Sequence, residues 1–277
     1  MKKKSYLAYP YVIWSSLFIV VPLLLIVFFS FTDKTGGSIQ FSLANFQRLM
    51  DPLYIKVFMR SINLALQSTV ICLILGYPVA YIISKRPSHR RVILIMLFIL
   101  PMWMNFLLRT YAWLAILGKN GLFNNLLSMI GLNGVDILYT NTAVLLGMVY
   151  NFLPFMVLPI YTSLLKMDKD LINAAYDLGA GKVKVFTKVV FPLSLPGVIS
   201  GITMVFMPAV STFVISQLLG GGKYMLIGNL IEQQFTSVGD WNFGSAVSIL
   251  MMVLILLFMG LTSKFSDEDE KGGGVMW

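Results

Sequence analysis

TAVLLGMVYNFLPFMVLPIYTSL, residues 142–164, carries no charge, and KMDKDLINAAYDLGAGKVKVFTKVVFP, residues 166–192, is charged every few positions. A second uncharged run, LPGVISGITMVFMPAVSTFVISQLL, follows over residues 195–219. A chain shows this order when it crosses a bilayer, turns in water and crosses back, because about 20 apolar residues span roughly 30 Å of hydrocarbon. Working outward, Tyr11 to Phe31, Ser61 to Ile83, Val92 to Leu117 and Ser245 to Leu261 have the same character. The sequence therefore predicts an all-α membrane protein of six spans. Leu122 to Ile130 is apolar but too short to cross, and reads as an interfacial or re-entering segment.

The composition agrees. Hydrophobic residues make up 57% of the chain and charged residues 12%, against about 25% charged in soluble domains. Mean hydropathy is +0.81. The net charge of +9 does not point to nucleic acid, because the basic residues sit at the ends of apolar runs. Lys2, Lys3 and Lys4 precede the first span, Lys85, Arg86, Arg90 and Arg91 follow the second, and Lys166, Lys169, Lys182, Lys184 and Lys188 follow the fourth. The alternate side has only Lys119 and Lys223 in its later loops, and a mixed first loop with Lys34, Arg48, Lys56 and Arg60. The positive-inside rule then places both termini in the cytoplasm. The expected organisation is a cytoplasmic N-terminus over 1–10, a six-span domain over 11–265, and a solvated cytoplasmic tail over 266–277 containing Asp267 to Glu270. The apolar stretch after Lys4 is too long for a signal peptide and lacks a small-residue cleavage site, so it reads as a retained span. Tyr9, Tyr11, Trp14, Trp113 and Trp241 fall where interfacial rings are favoured.

Several chemistries are excluded. The single cysteine, Cys72, permits no intramolecular disulfide. No zinc-protease or serine-hydrolase motif occurs, and no catalytic or metal-binding set is expected. Gly220-Gly221-Gly222-Lys223 resembles a phosphate loop only superficially: the earlier spaced glycine is missing, and Tyr224 stands where Ser or Thr is needed. A transport step driven by ATP would need its motor on another chain. Prolines in five of the six spans (Pro22, Pro78, Pro101, Pro154 with Pro159, Pro196 with Pro208) predict kinks, which suit a bundle lining a pathway.

The connection 166–192 is the most informative loop. Asp168 suits an N-cap, Asp170 suits the first turn, and Gly179 suits the end of a short helix whose surface is small and apolar. A second helical pattern runs from Lys182 to Phe191-Pro192. A capped helix of this kind, projecting from a membrane bundle, fits a groove on another protein. The stretch Asn173-Ala174-Ala175-Tyr176-Asp177-Leu178-Gly179, followed by Val189 and Pro192, resembles the EAA motif of bacterial ABC importer permeases, with Asn173 in place of its Glu, Val189 in place of its Ile and Phe191 in place of its Leu. The resemblance implies the type I importer permease (MetI-like) fold in a bacterial inner membrane. It also implies that Asp168, Asn173, Ala174, Ala175, Asp177, Gly179 and Pro192 belong to an ATPase-coupling segment. The implied partners are a second permease, two copies of an ABC ATPase, which would bind the ATP and magnesium, and an extracellular binding protein. No cofactor is expected on this chain.

Further stretches, Asp51-Pro52-Leu53-Tyr54, Leu75-Gly76-Tyr77-Pro78, Pro101 to Asn105 with Leu108-Arg109, Leu153 to Met156, and Gly221-Gly222 through Ile227-Gly228-Asn229, Gln234-Phe235 and Asp240-Trp241 to Gly244, resemble permeases of spermidine/putrescine importers. Ferric iron, thiosulfate or phosphonate is the alternative cargo of the same machine. A secondary carrier is the other class, disfavoured because the spans as drawn contain no acid. A polyamine path calls for aromatic faces, carbonyls and few carboxylates. The candidates within spans are Trp103, Asn105, Tyr150, Asn151, Phe155, Ser211, Thr212 and Phe213. Arg109 has the wrong sign for a polycation and reads as a contact to the binding protein, a partner for an acid of the second permease, or an outward-reaching group. Asp136, Glu232, Asp240 and Trp241 are the candidate outer-face contacts.

Overall fold

The computed structural model describes residues 9–35 and 38–272. Lys2 to Lys4 and the end of the tail lie outside the described residues, as do the side chains of Asp267 to Glu270. Helix α1 (Tyr9–Ser30) leads into a short hairpin of β1 (Thr32–Thr35) and β2 (Ser38–Phe41), then α2 (Ala44–Arg48). Next come α3 (Pro52–Ser84), α4 (Ser88–Trp103), α5 (Phe106–Leu117), α6 (Leu122–Met129) and α7 (Asn141–Lys166). The chain closes with α8 (Lys169–Asp177), α9 (Lys182–Ser211), α10 (Val214–Leu219), α11 (Ile227–Gln233) and α12 (Trp241–Gly272).

Five helices, α1, α3, α7, α9 and α12, are long and apolar enough to cross a membrane, and α4 with α5–α6 makes a sixth crossing if that bent pair is counted as one. The expected continuous third span is therefore corrected. It breaks at Met104–Asn105, and its halves meet at 93°. The helical pattern expected from Lys182 to Phe191-Pro192 is also corrected, because the helix runs unbroken from Lys182 to Ser211. Pro192 lacks the N–H that would continue the ladder, but a π turn over Phe186–Val190 lies just upstream. There the Phe191 N–H bonds to Phe186 O, so the proline falls in the first turn of a fresh α segment. Pro22 is accommodated the same way, behind a π turn at Ser16–Val20.

The core is the mutual packing of α3, α7 and α9, with α12 against α9 and α1 against α12. In lipid no hydrophobic force separates helix from solvent, so close backbone approach carries the packing. Gly197 and Gly201 of α9 provide it: a Cβ at Gly197 would meet Ser163 Cβ at 2.5 Å and Pro159 O at 2.7 Å, and one at Gly201 would meet the Met156 sulfur at 2.8 Å. Tyr77 of α3 and Ser194 of α9 share a buried hydrogen bond of 2.9 Å. By contrast, Ser30 is the one buried residue of α1, whose apolar side chains face outward.

The odd-numbered loops gather at one end. Asn242 donates to Phe29 O and Thr32 O at 3.0 and 2.7 Å, Arg48 pairs with Asp240 at 2.8 Å, and the Tyr139 N–H bonds to Leu219 O at 2.9 Å. The Arg48 guanidinium lies 4.1 Å from the Phe243 ring centroid. Burial lowers its pKa, but hydrogen bonds to Tyr54 and Asp240 outweigh that and leave it raised, so it stays charged at any physiological pH. The glycine stretch 220–222 belongs to this end as a turn. Gly221 has φ +60°, and a Cβ there would strike the Tyr139 ring. The even-numbered connections, 84–91 and 167–181, meet at the opposite end.

Candidate docking helix and translocation path

At that opposite end, α8 is a self-contained unit. Asp168 accepts from the Asp170 N–H at 2.9 Å and caps its start. At its end Gly179 takes φ +78°, the Gly179 N–H bonds to Tyr176 O and the Ala180 N–H to Ala175 O, at 2.9 and 3.1 Å. This is the Schellman pattern that satisfies the last carbonyls. No residue of α8 is buried, and Leu171 and Leu178 are 51% and 88% exposed. Asn173, Ala174 and Asp177 are exposed beside them, and Ala175 is half-buried. Its small residues leave room for a partner's surface, and its exposed leucines supply apolar area. Pro192 lies further on, inside α9 behind the π turn.

The other end is built from interrupted helices. After α4, Met104 and Asn105 are extended, and the Asn105 side chain caps α5 by accepting from the Leu107 and Leu108 N–H groups at 2.8 and 3.4 Å. After α9, Thr212 is extended and Phe213 starts α10. Such interruptions are tolerated at membrane depth where protein or a watered cavity satisfies the backbone. Asn229 of α11 braces the second break: its Nδ2 donates at 3.0 Å to Phe213 O, which also accepts the Gln217 N–H, and its Oδ1 accepts from Ser216 Oγ and from the Leu226 N–H. The helices that follow the two breaks pack together, α10 lying against α5 and also against α7. The negative end of α9's dipole is at Ser211, which favours a cation there.

Beside the second break a polar vestibule of about 270 Å³ is lined by Ser216, Gln217, Tyr224, Asn229, Glu232 and Gln233 among others. Glu232 is its one acidic side chain, accepting from Thr236 Oγ1 at 3.2 Å. The Tyr224 ring lies 5.6 Å from the Arg60 guanidinium.

The remaining candidates are dispersed. Trp103 is 81% exposed beside the first break. Tyr150 is edge-on to Trp113 at 5.3 Å between centroids, and Phe155 lines a separate groove of about 540 Å³ between α7 and α9 with Pro159 and Met204. Asn151 is buried in the bundle, with Nδ2 bonded to Gly147 O at 2.8 Å and Oδ1 without a partner. Arg109 is half-buried with its guanidinium 6.0 Å from the Phe106 ring and its Nε without a partner. Asp136 is exposed. Asp240 both pairs with Arg48 and caps α12 by accepting from the Phe243 N–H at 3.0 Å, and Trp241 stacks edge-on against Phe29 and Phe235.

Two features escaped the sequence reading. Asn229 is the hub of the vestibule, although its stretch was singled out without a role. Asn63 and Gln67, one turn apart on α3, are both exposed, and Gln67 Nε2 donates to Asn63 Oδ1 at 2.6 Å. Two amides four residues apart in an otherwise apolar run were the available signal.

A family profile described as "Binding-protein-dependent transport system inner membrane component" matches residues 73–267. The chain is 42% identical over 251 residues to the spermidine/putrescine transport system permease protein PotB of Escherichia coli (strain K12), covering 89% of this chain and 91% of that one. Its fold superposes on a chain of a bacterial ABC transporter that imports the acidic polysaccharide alginate, with TM-score 0.81, 18% identity and 96% coverage of both. The alginate transporter in complex with its pentasaccharide-bound periplasmic protein matches with TM-score 0.71 and 18% identity over 95% of each chain.

Proposed function

The chain belongs to the binding-protein-dependent transport system inner membrane components, and from that premise we propose that it is one of two permeases in an ABC importer that carries polyamines. The observation behind the cargo is the 42% identity to a spermidine/putrescine permease over 89% of the chain. The vestibule is in keeping with it. One carboxylate, Glu232, sits among hydroxyls and amides close to the negative end of α9. That set suits one ammonium at a time and is too sparse to trap a polycation.

In this reading the loop 166–192 and both termini face the cytoplasm, where α8 docks on a separate ABC ATPase present in two copies. That ATPase binds ATP and magnesium, and this chain is not an enzyme. An extracellular binding protein delivers cargo at the end formed by residues 31–35, 38–51, 118–140 and 220–240. Asp136, Arg109 and Trp241 lie on that side as its candidate contacts. The exposed Asn63–Gln67 face of α3 meets the second permease, since two bare amides are costly against lipid. ATPase closure pulls α8, and the continuous α9 carries the motion to the break at Thr212–Phe213, opening and closing the vestibule in alternation.

Uptake of labelled spermidine is the test. Cells carrying the complete importer should accumulate it, cells lacking this chain should not, and Glu232→Gln should raise KM more than it lowers the maximal rate. Unchanged spermidine uptake without the chain, with loss of iron, thiosulfate or phosphonate uptake instead, would refute the cargo and leave the machine.

A further inference from the structure

The end of the bundle that bears α8 also holds a cavity of about 470 Å³, between the turn after α3, the end of α7 and the bundle-facing side of α8. Lys85, Arg86, Arg91 and Lys169 line it, and no acidic side chain does. None of the four makes an ion pair with a described residue. Lys85 instead holds its Nζ 4.1 Å from the Tyr81 ring centroid. Like charges gathered around one concavity repel each other until an anion enters.

A second feature points the same way. Helix α4, 16 residues long, starts at Ser88 on the wall of this cavity, and its N-cap, Pro87, offers no side-chain acceptor. The first-turn N–H groups are therefore uncapped, and the positive end of the helix adds to the field of the four cations. The other walls are apolar: Leu165 from the end of α7, and Ile172 and Tyr176 from α8. These two are one turn apart and face the cavity, whereas the exposed Leu178 is not part of its lining. The cavity thus sits where spans end, behind the docking surface, with a basic mouth and a greasy wall. A phosphate that carries an acyl tail matches both halves, whereas acidic side chains of a docked protein would match only the mouth.

We propose that this cavity holds the phosphate headgroup of an anionic phospholipid from the cytoplasmic leaflet, seated behind α8. The inference rests on the cytoplasmic placement of this end and not on the cargo. Its readout is lipid retention, so it stands or falls separately from spermidine uptake.

The experiment weighs the complete purified transporter by native mass spectrometry after release from nanodiscs of mixed phosphatidylglycerol and phosphatidylethanolamine. The wild type should retain phosphatidylglycerol, and Lys85→Gln/Arg86→Gln/Arg91→Gln should retain it roughly tenfold less or worse, with phosphatidylethanolamine unchanged. Equal phosphatidylglycerol retention by both proteins overturns the proposal. Displacement of the lipid by millimolar inorganic phosphate assigns the cavity to a free anion and also overturns it. So does loss of the ATPase from the variant in wholly zwitterionic nanodiscs, which would make the cavity a protein contact. Arg86→Gln alone, at an exposed position, is read the same way should the triple variant fail to assemble.

Discussion

Helix α8 and the Thr212–Phe213 break are both places where the chain departs from simple membrane crossing, and they are made in opposite ways. Every group that shapes α8 lies within it or next to it, from the Asp168 cap to the Gly179 turn. The break at Thr212–Phe213 is held by Asn229, contributed by another helix more than a turn of loop away. In the proposed mechanism, a docking element formed from local rules keeps its shape while the bundle moves, and a gate depends on tertiary contacts, because contacts that re-form are what allow it to open.

That contrast can be broken by mutation. The largest effect is expected from Leu178→Asp. The side chain is 88% exposed, so the fold should be unchanged, yet a charge in the docking surface should cost about 2 kcal/mol, roughly a 30-fold loss of ATPase association. Co-purification of the ATPase and spermidine uptake should both fall, while the thermal midpoint of the solubilised chain stays put. A falling midpoint would mean that α8 is not autonomous.

Asn229→Leu should behave in reverse. It takes the acceptor from the Leu226 N–H, while Phe213 O keeps the Gln217 N–H and Ser216 Oγ keeps Phe213 O, at a cost of about 1–3 kcal/mol. Thermal unfolding should shift down and uptake should drop, with ATPase association retained. Equal loss of ATPase association would dissolve the distinction between the two regions. A smaller effect is expected from Asn105→Ala at the first break, where the lost N-cap is worth about 1 kcal/mol. The cap is local, so stability should fall slightly and uptake should fall less than for Asn229→Leu.

The same contrast governs what could be read from the chain alone. Hydropathy sufficed for five of the crossings, and the ends of α8 followed from Asp168 and Gly179, because those signals act within a few residues. Proline signalled disturbance, but its position misled. Pro101 and Pro208 stay inside their helices, and the chain breaks one turn later, at Met104–Asn105 and at Thr212–Phe213. Pro192 does not interrupt at all, since the π turn before it absorbs the missing donor. Where a helix in lipid opens depends on the polar side chains packed beside the break, and Asn229 reaches Phe213 O from 16 residues away. Of the path candidates, Ser211, Thr212 and Phe213 fall at one break and Trp103 and Asn105 at the other, whereas Asn151 is buried among core side chains.

In the proposed mechanism α8 couples this chain to an ATPase, and crosslinking shows whether the two touch. Cys72 is buried, so Ala175→Cys places a partly exposed thiol on the helix. In inverted membrane vesicles holding the complete importer, a short bifunctional thiol reagent should join Ala175→Cys to a cysteine placed in the cognate ATPase's docking groove, with a yield that changes between nucleotide-free and ATP-bound states. No crosslink in any nucleotide state, from an importer that still transports, would contradict it.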